Sequence, residues 1–396
     1  MIEVVTVGLG YIGLPTSALI ASHRIKVHGV DINKNTVDII NRGEIHIVEP
    51  DLDVAVKEAV NAGFLAASTK PTKANVYLIV VPTPFKGDHE PDISYVEAAT
   101  KAVIPFFKEG DLYIIESTSP IGTTELMKDL IYSKRPELKD KISLAYCPER
   151  VLPGNVMFEL VHNDRVIGGI NESSTKSAIK FYSQFVKGEL HPTNAKTAEM
   201  CKLVENSSRD VQIAFANELS IICDKADINV RELINLANKH PRVNILQPGC
   251  GVGGHCIAVD PYFITSHFPL ESKIIAAGRE INNYKAFWCV EKIQNSALKF
   301  ELENKRKANI AILGLAFKPN IDDLRESPAL YIAKKLKNTY SQQNLMFVEP
   351  NIKKHELFEI SSLEKATKFA DMIFVLVAHE EFNELELKTE MKITRF

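Results

Sequence analysis

Net charge is nearly absent from this 396-residue sequence: 47 lysines and arginines stand against 50 aspartates and glutamates, a formal net charge of −3. With no dense basic run, the counterion release that drives nucleic-acid binding has little to act on, so no nucleic acid is expected as a partner. Long apolar runs are missing as well. The run at 76–81 (VYLIVV) is strand length, far below the roughly 20 residues of a membrane span, so no membrane partner is expected. The sequence enters a strand at once, so no charged leader or cleavable apolar region is expected. Six cysteines (147, 201, 223, 250, 256, 289) occur without a CxxC pair, which fits free thiols in a reducing compartment. A cytoplasmic location is expected. The composition, 45% hydrophobic and 24% charged, is that of a globular protein. The length exceeds one ordinary core, so two or three domains are expected.

Val4-Val5-Thr6-Val7 reads as a short strand, followed by Gly8-Leu9-Gly10-Tyr11-Ile12-Gly13, a helix over 14–22 and a second strand over 27–30 ending in Asp31. A lone GxGxxG is weak, but here it lies between strand and helix, and an acid closes the next strand 18 positions after Gly13. Gly8 allows the tight turn, Gly10 lets a pyrophosphate approach the backbone, and Gly13 lets helix pack on strand. Tyr11 and Ile12 belong to the same cofactor loop, and the helix amino terminus favours the phosphates. Asp31 would hold ribose hydroxyls and repel a 2′-phosphate, which makes NAD the expected cofactor.

The alternation continues, with strands over 76–81, 112–116 and 142–146 and helices over 95–107 and 124–133. A parallel sheet follows, with ligands at the carboxyl ends of its strands. Thr83 in VPTP, Thr118 in ESTSP and Glu149-Arg150 in CPERVLPG are delivered to that rim.

A long helix is expected over 197–225. Lys202, Asn206 and Arg209 fall at i, i+4 and i+7 on one face. Phe215, Leu219 and Ile222 form a separate apolar stripe suited to packing. Glu205 and Asp210 are the only acids close enough in sequence to pair here, leaving the polar stripe unevenly basic. A solvated face and a phosphate or sugar site both fit it.

PGCGVGGHCIAVDPYF, at 248–263, puts four glycines in six positions ahead of His255 and Cys256, with Asp260 four positions later. Glycines let backbone approach a bulky ligand. A thiol after such a loop can reach an electrophile, and a cation such as Lys202 would favour the thiolate. Joined to a nicotinamide site, a thiol suggests alcohol oxidation to an aldehyde, thiohemiacetal formation, oxidation to a thioester and hydrolysis to an acid. A buried structural cysteine is the plain alternative. Zinc is not expected, because no other Cys/His pair has suitable spacing.

GLGYIGLPT, ESTSPIGTT, CPERVLPG, EMCKLVENSSRD, GVGGHCIAVDPYF and LGLAFKPNIDDLRESP resemble, in this order, the UDP-sugar 6-dehydrogenase family, from the first strand to about Phe382. The resemblance implies an α/β fold: two Rossmann-like, doubly wound parallel-sheet domains joined by a central helical dimerisation region with a long helix. It implies an NAD-binding domain over 1–190, a central domain over 191–300 with the catalytic Lys and Cys loop, and a UDP-sugar-binding domain over 301–396. A homodimer is implied too. Carried over, Cys256 is the nucleophile, and Lys202 is the acid/base that steadies an oxyanion with Asn206. Asp260, Glu149 and Thr118 handle water and protons. Thr83, Thr118 and Arg325 join the NAD site. Arg150, Val151, Lys202, Asn206, Arg209, His240, Arg242, Gly253 and Lys318 line the nucleotide sugar, where Arg and Lys forks suit two phosphates and a uracil.

Glucose-specific members usually read GGxCLPKD around the nucleophile, whereas this chain has GGHCIAVD, similar to the N-acetylhexosamine branch. VPTPFKGDHEPD, CPERVLPG and HPRVNILQPG resemble members acting on UDP-N-acetyl-D-mannosamine. The implied product is the corresponding uronate, a precursor of surface polysaccharides. The same reaction on UDP-N-acetylglucosamine or UDP-glucose, a single-hydride β-hydroxyacid dehydrogenase and an inactive dinucleotide sensor are the alternatives. Three departures stand out. Cys250 replaces a usual proline and adds a thiol near the nucleophile, Ser208 replaces a bulkier residue, and the final MKITRF stops short of an acidic strand and Lys-Gly turn. Strands over 309–313, 345–348 and 372–377 and a helix over 328–337 make the carboxyl-terminal α/β unit, with 299–309 as a charged connection.

Overall fold

Successive side chains of a strand point to opposite faces, and in the computed structural model both faces of the first sheet are covered. Val4, Leu78 and Ile114 enter one core, while Val5, Tyr77, Ile79, Tyr113 and Ile115 enter another. Strands buried on both sides read as near-continuous apolar runs, which is why 76–81 and 112–116 lack alternation. The structure describes residues 2–87, 89–152, 154–340, 344–383 and 392–396. It divides into two units, Met1–Val204 and Glu205–Phe396.

The first unit carries β1 (Glu3–Val7), β2 (Lys26–Val30), β3 (Leu65–Ser68), β4 (Val76–Ile79), β5 (Phe85–Lys86), β6 (Glu90–Pro91), β7 (Leu112–Ile115), β8 (Ser143–Tyr146), β9 (Arg165–Gly169) and β10 (Leu190–Asn194). The eight-stranded sheet runs β10-β9-β8-β7-β4-β1-β2-β3. From β3 to β8 this is the doubly wound dinucleotide order. Every neighbouring pair is parallel except β8 with β9. Strands β9 and β10 lie outside the sequence reading, because two glycines and an edge proline, Pro192, mask them. The helix expected over 95–107 ends at Val103 and tightens into a 3₁₀ turn, Ile104–Phe106. Pro105 has no N–H to continue the ladder.

Asp111 precedes β7, 1% exposed, with Oδ2 accepting from Lys108 N at 2.9 Å and Oδ1 without a partner among the described residues. Burial pushes its carboxyl up from 3.8 to about 6. As pH rises through that window the unfolded chain loses the proton before the folded chain does, so folding is weakened there and above it. Asp111→Asn is therefore expected to raise the melting temperature at about pH 7 and to leave it nearly unchanged at about pH 3.5. Thermal melts at the two pH values check this.

In the second unit, helices Val230–Ala237, Asp260–Thr265 and Lys273–Asn304 precede a second sheet. Its strands are β11 (Ile310–Leu313), β12 (Leu345–Val348), β13 (Met372–Val375) and β14 (Lys392–Arg395), ordered β12-β11-β13-β14 and all parallel. The closing strand, Lys392–Arg395, lies within the final stretch of the sequence. Ser327 Oγ accepts from Leu330 N at 3.1 Å and Pro328 follows it, starting helix Pro328–Thr339.

Helix Ala195–Lys225, 31 residues long, contributes residues to both units. Of its Phe215, Leu219 and Ile222 stripe, Phe215 and Ile222 are exposed and only Leu219 is half-buried. The inward face is polar instead. Asp210, Asn217 and Ser220 pair with Arg279, Asn282 and Lys285 of helix Lys273–Asn304. Among the described residues no helix is long and apolar enough to cross a membrane.

Candidate active site

In the first unit the β1 turn is set by close approach. Gly8 has φ +97°, and its N–H donates to Val30 O at 2.8 Å. A Cβ at Gly8 would lie 2.2 Å from Val80 O, and one at Gly13 would lie 1.9 Å from Gly8 O. Around Gly10 a Cβ would meet nothing within 4 Å. The loop is thus packed tightly on both sides and open in the middle, beside the helix amino terminus at Ile12 and an exposed Tyr11. Asp31 follows β2, with Oδ2 accepting from Leu9 N at 3.1 Å and Oδ1 accepting from Asn33 N at 2.9 Å. These residues fit a dinucleotide, with room for a pyrophosphate at Gly10 and an anchored carboxylate for a ribose. His46 adds to this corner. Burial holds its imidazole below the ordinary value, against the pull of nearby Asp31. Nothing in its spacing marks it.

Further along the rim, Thr83 Oγ1 donates to Thr118 O at 2.7 Å, so those two are held together. Lys202, 9% exposed, donates from Nζ to Glu149 O at 2.7 Å and lies 3.9 Å from Glu149 Oε2. Glu149 Oε1 accepts from Val151 N, whose side chain packs on the core. Arg150 Nη1 donates to Asp164 O at 3.3 Å. The acid beside Lys202 is thus Glu149, 53 positions away in sequence. Asp210 instead accepts from Arg279 at 2.7 Å. Spacing could not find Glu199, whose buried carboxylate accepts from Gly122 N, Thr124 N and Thr124 Oγ1 and fixes the turn after Thr118.

In the second unit Cys256 is half-buried just ahead of helix Asp260–Thr265, its carbonyl accepting from Val259 N at 3.0 Å and Asp260 N at 2.8 Å. Asp260 is buried, and its Oδ2 accepts from Asn206 Nδ2 at 2.6 Å. The glycines before Cys256 answer to protein neighbours. A Cβ at Gly251 would sit 2.9 Å from Pro328, at Gly253 2.5 Å from Glu326 O, and at Gly254 2.8 Å from the Phe317 ring. Gly254 N also donates to Arg325 O at 3.1 Å. The loop is docked on the 317–328 stretch, and this close approach is what requires glycine. On that stretch Lys318 is exposed, and the Arg325 guanidinium grips Asp323 at 2.6–3.0 Å. Arg209, His240 and Arg242 are exposed, the last two on the turn after helix Val230–Ala237.

Cys250 faces inward. It is 4% exposed in the core with Cys289, and burial pushes its thiol up to about 12. It is therefore a packing residue rather than a second reactive thiol. None of the six cysteines is disulfide-bonded.

Three family models match in order: the NAD binding domain of the UDP-glucose/GDP-mannose dehydrogenase family over residues 2–186, its central domain over 196–284 and its UDP binding domain over 311–395. The chain is 55% identical to a UDP-N-acetyl-D-mannosamine dehydrogenase of Campylobacter jejuni, covering 97% of each chain. It is 50% identical to an NDP-N-acetyl-D-galactosaminuronic acid dehydrogenase of Ralstonia nicotianae, over 96% of this chain and 91% of that one. Its fold is similar to the solved UDP-D-ManNAc dehydrogenase of Pyrococcus horikoshii, with a TM-score of 0.86, 39% identity and coverage of 98% and 93%. The chain therefore belongs to the UDP-glucose/GDP-mannose dehydrogenase family, whose NAD-binding and UDP-binding domains it carries.

Proposed function

We propose that this chain oxidises UDP-N-acetyl-D-mannosamine at carbon six to UDP-N-acetyl-D-mannosaminuronate, with Cys256 as covalent nucleophile. The observation that carries the reading is the half-buried Cys256 thiol, held one turn ahead of an Asp260 locked to Asn206. Full-length similarity to the Campylobacter enzyme supplies the sugar.

Bound NAD would supply the hydride acceptor for the two oxidations at carbon six. Gly8, Gly10, Tyr11, Ile12, Gly13 and Asp31 would hold its phosphates and ribose, with Thr83, Thr118 and Arg325. Lys202 takes the proton of the substrate hydroxyl at Nζ and, with Asn206, steadies the oxyanion. Cys256 Sγ adds to the aldehyde carbon, giving a thiohemiacetal. Loss of the second hydride and a proton leaves a thioester, which water cleaves to the carboxylate and free thiol. Asp260, Glu149 and Thr118 guide that water and its protons. Arg150, Val151, Arg209, His240, Arg242, Gly253 and Lys318 contact the nucleotide sugar. The domains are 1–190 for NAD, 191–300 for dimerisation and the Lys and Cys loop, and 301–396 for the UDP-sugar. The chain works as a cytoplasmic homodimer supplying precursors of surface polysaccharides.

Incubating the purified protein with NAD and a panel of UDP-sugars, with identification of the acid, tests this. Two NADH per UDP-N-acetyl-D-mannosamine are expected, whereas one points to a hydroxyacid-type dehydrogenase and none to a dinucleotide sensor. The Ralstonia relative, named for a galactosaminuronic acid, favours another N-acetylhexosamine as the second reading. Its UDP-sugar is included in the panel.

A further inference from the structure

The two units repeat one local device. In the first, Gly8 N–H donates to Val30 O at 2.8 Å and Leu9 N–H donates to Asp31 Oδ2 at 3.1 Å. In the second, Gly314, with φ +86°, donates to Val348 O at 2.9 Å, and Leu315 N–H donates to Glu349 Oε2 at 2.7 Å. Each glycine follows a strand, and each acid follows the next one. Position for position, Glu349 is the counterpart of the ribose-binding acid.

Its surroundings differ. Asp31 is half-buried at the rim, whereas the Glu349 side chain is 0% exposed. Glu349 Oε2 also accepts from Ala316 N at 3.0 Å and from His379 Nε2 at 3.1 Å, and Oε1 accepts from Asn351 N at 3.2 Å. His379 Nδ1 accepts from Asn320 N at 2.9 Å and from Asn351 Nδ2 at 3.1 Å, so the ring proton lies on Nε2 and points at the carboxylate. Burial opposes ionisation, but the donors from His379, Leu315, Asn351 and Ala316 outweigh it and hold the carboxyl below its ordinary value. No room is left for a ligand hydroxyl.

What the acid holds is the turn from 314 to 320. Its start is pressed on Val377, 2.6 Å from where a Gly314 Cβ would be. At its end, Asn320 Oδ1 accepts from Glu380 N at 3.0 Å, and Asn320 Nδ2 donates to Glu380 Oε1 at 2.9 Å. Between these anchors lie Phe317, against Gly253 and Gly254 of the Cys256 loop, and Lys318.

We propose that Glu349 and His379 are positioning residues for the nucleotide sugar: an acid of the ribose-binding kind has been turned inward to fix the turn that presents Lys318 and backs the cysteine loop. The inference rests on the reading that Lys318 contacts the nucleotide sugar.

The experiment measures UDP and NAD binding by calorimetry, and turnover, for wild type, Glu349→Gln, His379→Ala, His379→Asn and Asn320→Gly. UDP affinity and KM for the sugar are expected to worsen about tenfold or more in Glu349→Gln and His379→Ala, the scale of a lost charged hydrogen bond, with NAD affinity within about twofold. His379→Asn keeps an acceptor for Asn320 N and is expected to recover part of the loss. Asn320→Gly changes a surface residue while keeping its left-handed backbone. It is expected to show the same selective loss and decides the matter if the buried variants do not fold. Unchanged UDP affinity in the folded variants, or an equal loss of NAD affinity, overturns the proposal. A wild type that neither binds UDP nor oxidises a UDP-sugar overturns the functional reading instead.

Discussion

Cys256→Ser is expected to lose acid formation by about three orders of magnitude or more, the scale of removing a covalent nucleophile, while keeping affinity for UDP and NAD. A serine hydroxyl is a far weaker nucleophile than a thiolate near neutral pH, so the aldehyde gains no sulfur adduct from which a second hydride can leave. The backbone gives no reason for the loop to change. The Cys256 carbonyl still accepts from Val259 and Asp260 N–H, and Gly251, Gly253 and Gly254 still press on Pro328, Glu326 and Phe317. The expected result is a variant that binds both ligands, releases at most one NADH per site and makes no uronate, read by absorbance and mass spectrometry. Full production of the uronate by Cys256→Ser would remove the covalent step from the mechanism. A parallel loss of UDP binding would instead mark Cys256 as a packing residue, as Cys250 is.

The difference between these two cysteines shows what sequence reading can and cannot reach. GLGYIG was legible because its glycine spacing follows from one strand-turn-helix unit: no room for a Cβ at Gly13 against Gly8 O, an open approach at Gly10, and a positive φ at Gly8. The rim of Thr83, Thr118 and Glu149 was legible because βα alternation sends strand ends to one edge. The four glycines of residues 249–254 were read as room for a ligand. Three of them, Gly251, Gly253 and Gly254, press on residues 317–328, far along the chain, and no pattern within the loop announces that docking. Cys250, in the same loop, is buried among core residues such as Cys289. Pairings such as Lys202 with Glu149, or Glu349 with His379, join residues 53 and 30 positions apart. They exist only once the sheets have formed, so sequence proximity could not reveal that Glu149 is the acid beside Lys202.

Asp210 is the largest such case, and its replacement carries the second major prediction. The Asp210 side chain is 0% exposed and that of Arg279 is 5% exposed, 2.7 Å apart. Burial pushes the Asp210 carboxyl up, while Arg279 and Asn282 pull it back toward the ionised form. Asn282 Nδ2 donates to Asp210 Oδ1 at 2.7 Å, Asn217 Nδ2 donates to Asn282 Oδ1 at 2.8 Å, and Gly249 N donates to Asn217 Oδ1 at 2.9 Å. The ion pair is thus the root of a chain of hydrogen bonds ending at the base of the cysteine loop. Asp210→Ala leaves a guanidinium buried without its carboxylate, a change that costs about 3–5 kcal/mol and is expected to lower the melting temperature on the order of 10 °C. Because the charges need each other more than the fold needs either, the double variant Asp210→Leu, Arg279→Met is expected to recover most of that loss. Calorimetric melts of Asp210→Ala, of the singles Asp210→Leu and Arg279→Met and of the double check it. A double variant as unstable as the sum of the singles would mean that the two side chains act independently. If the singles are destabilised and the double is not, the charges balance each other. Activity lost in the stable double then belongs to the weakened hold on Gly249, and so to the loop that places Cys256.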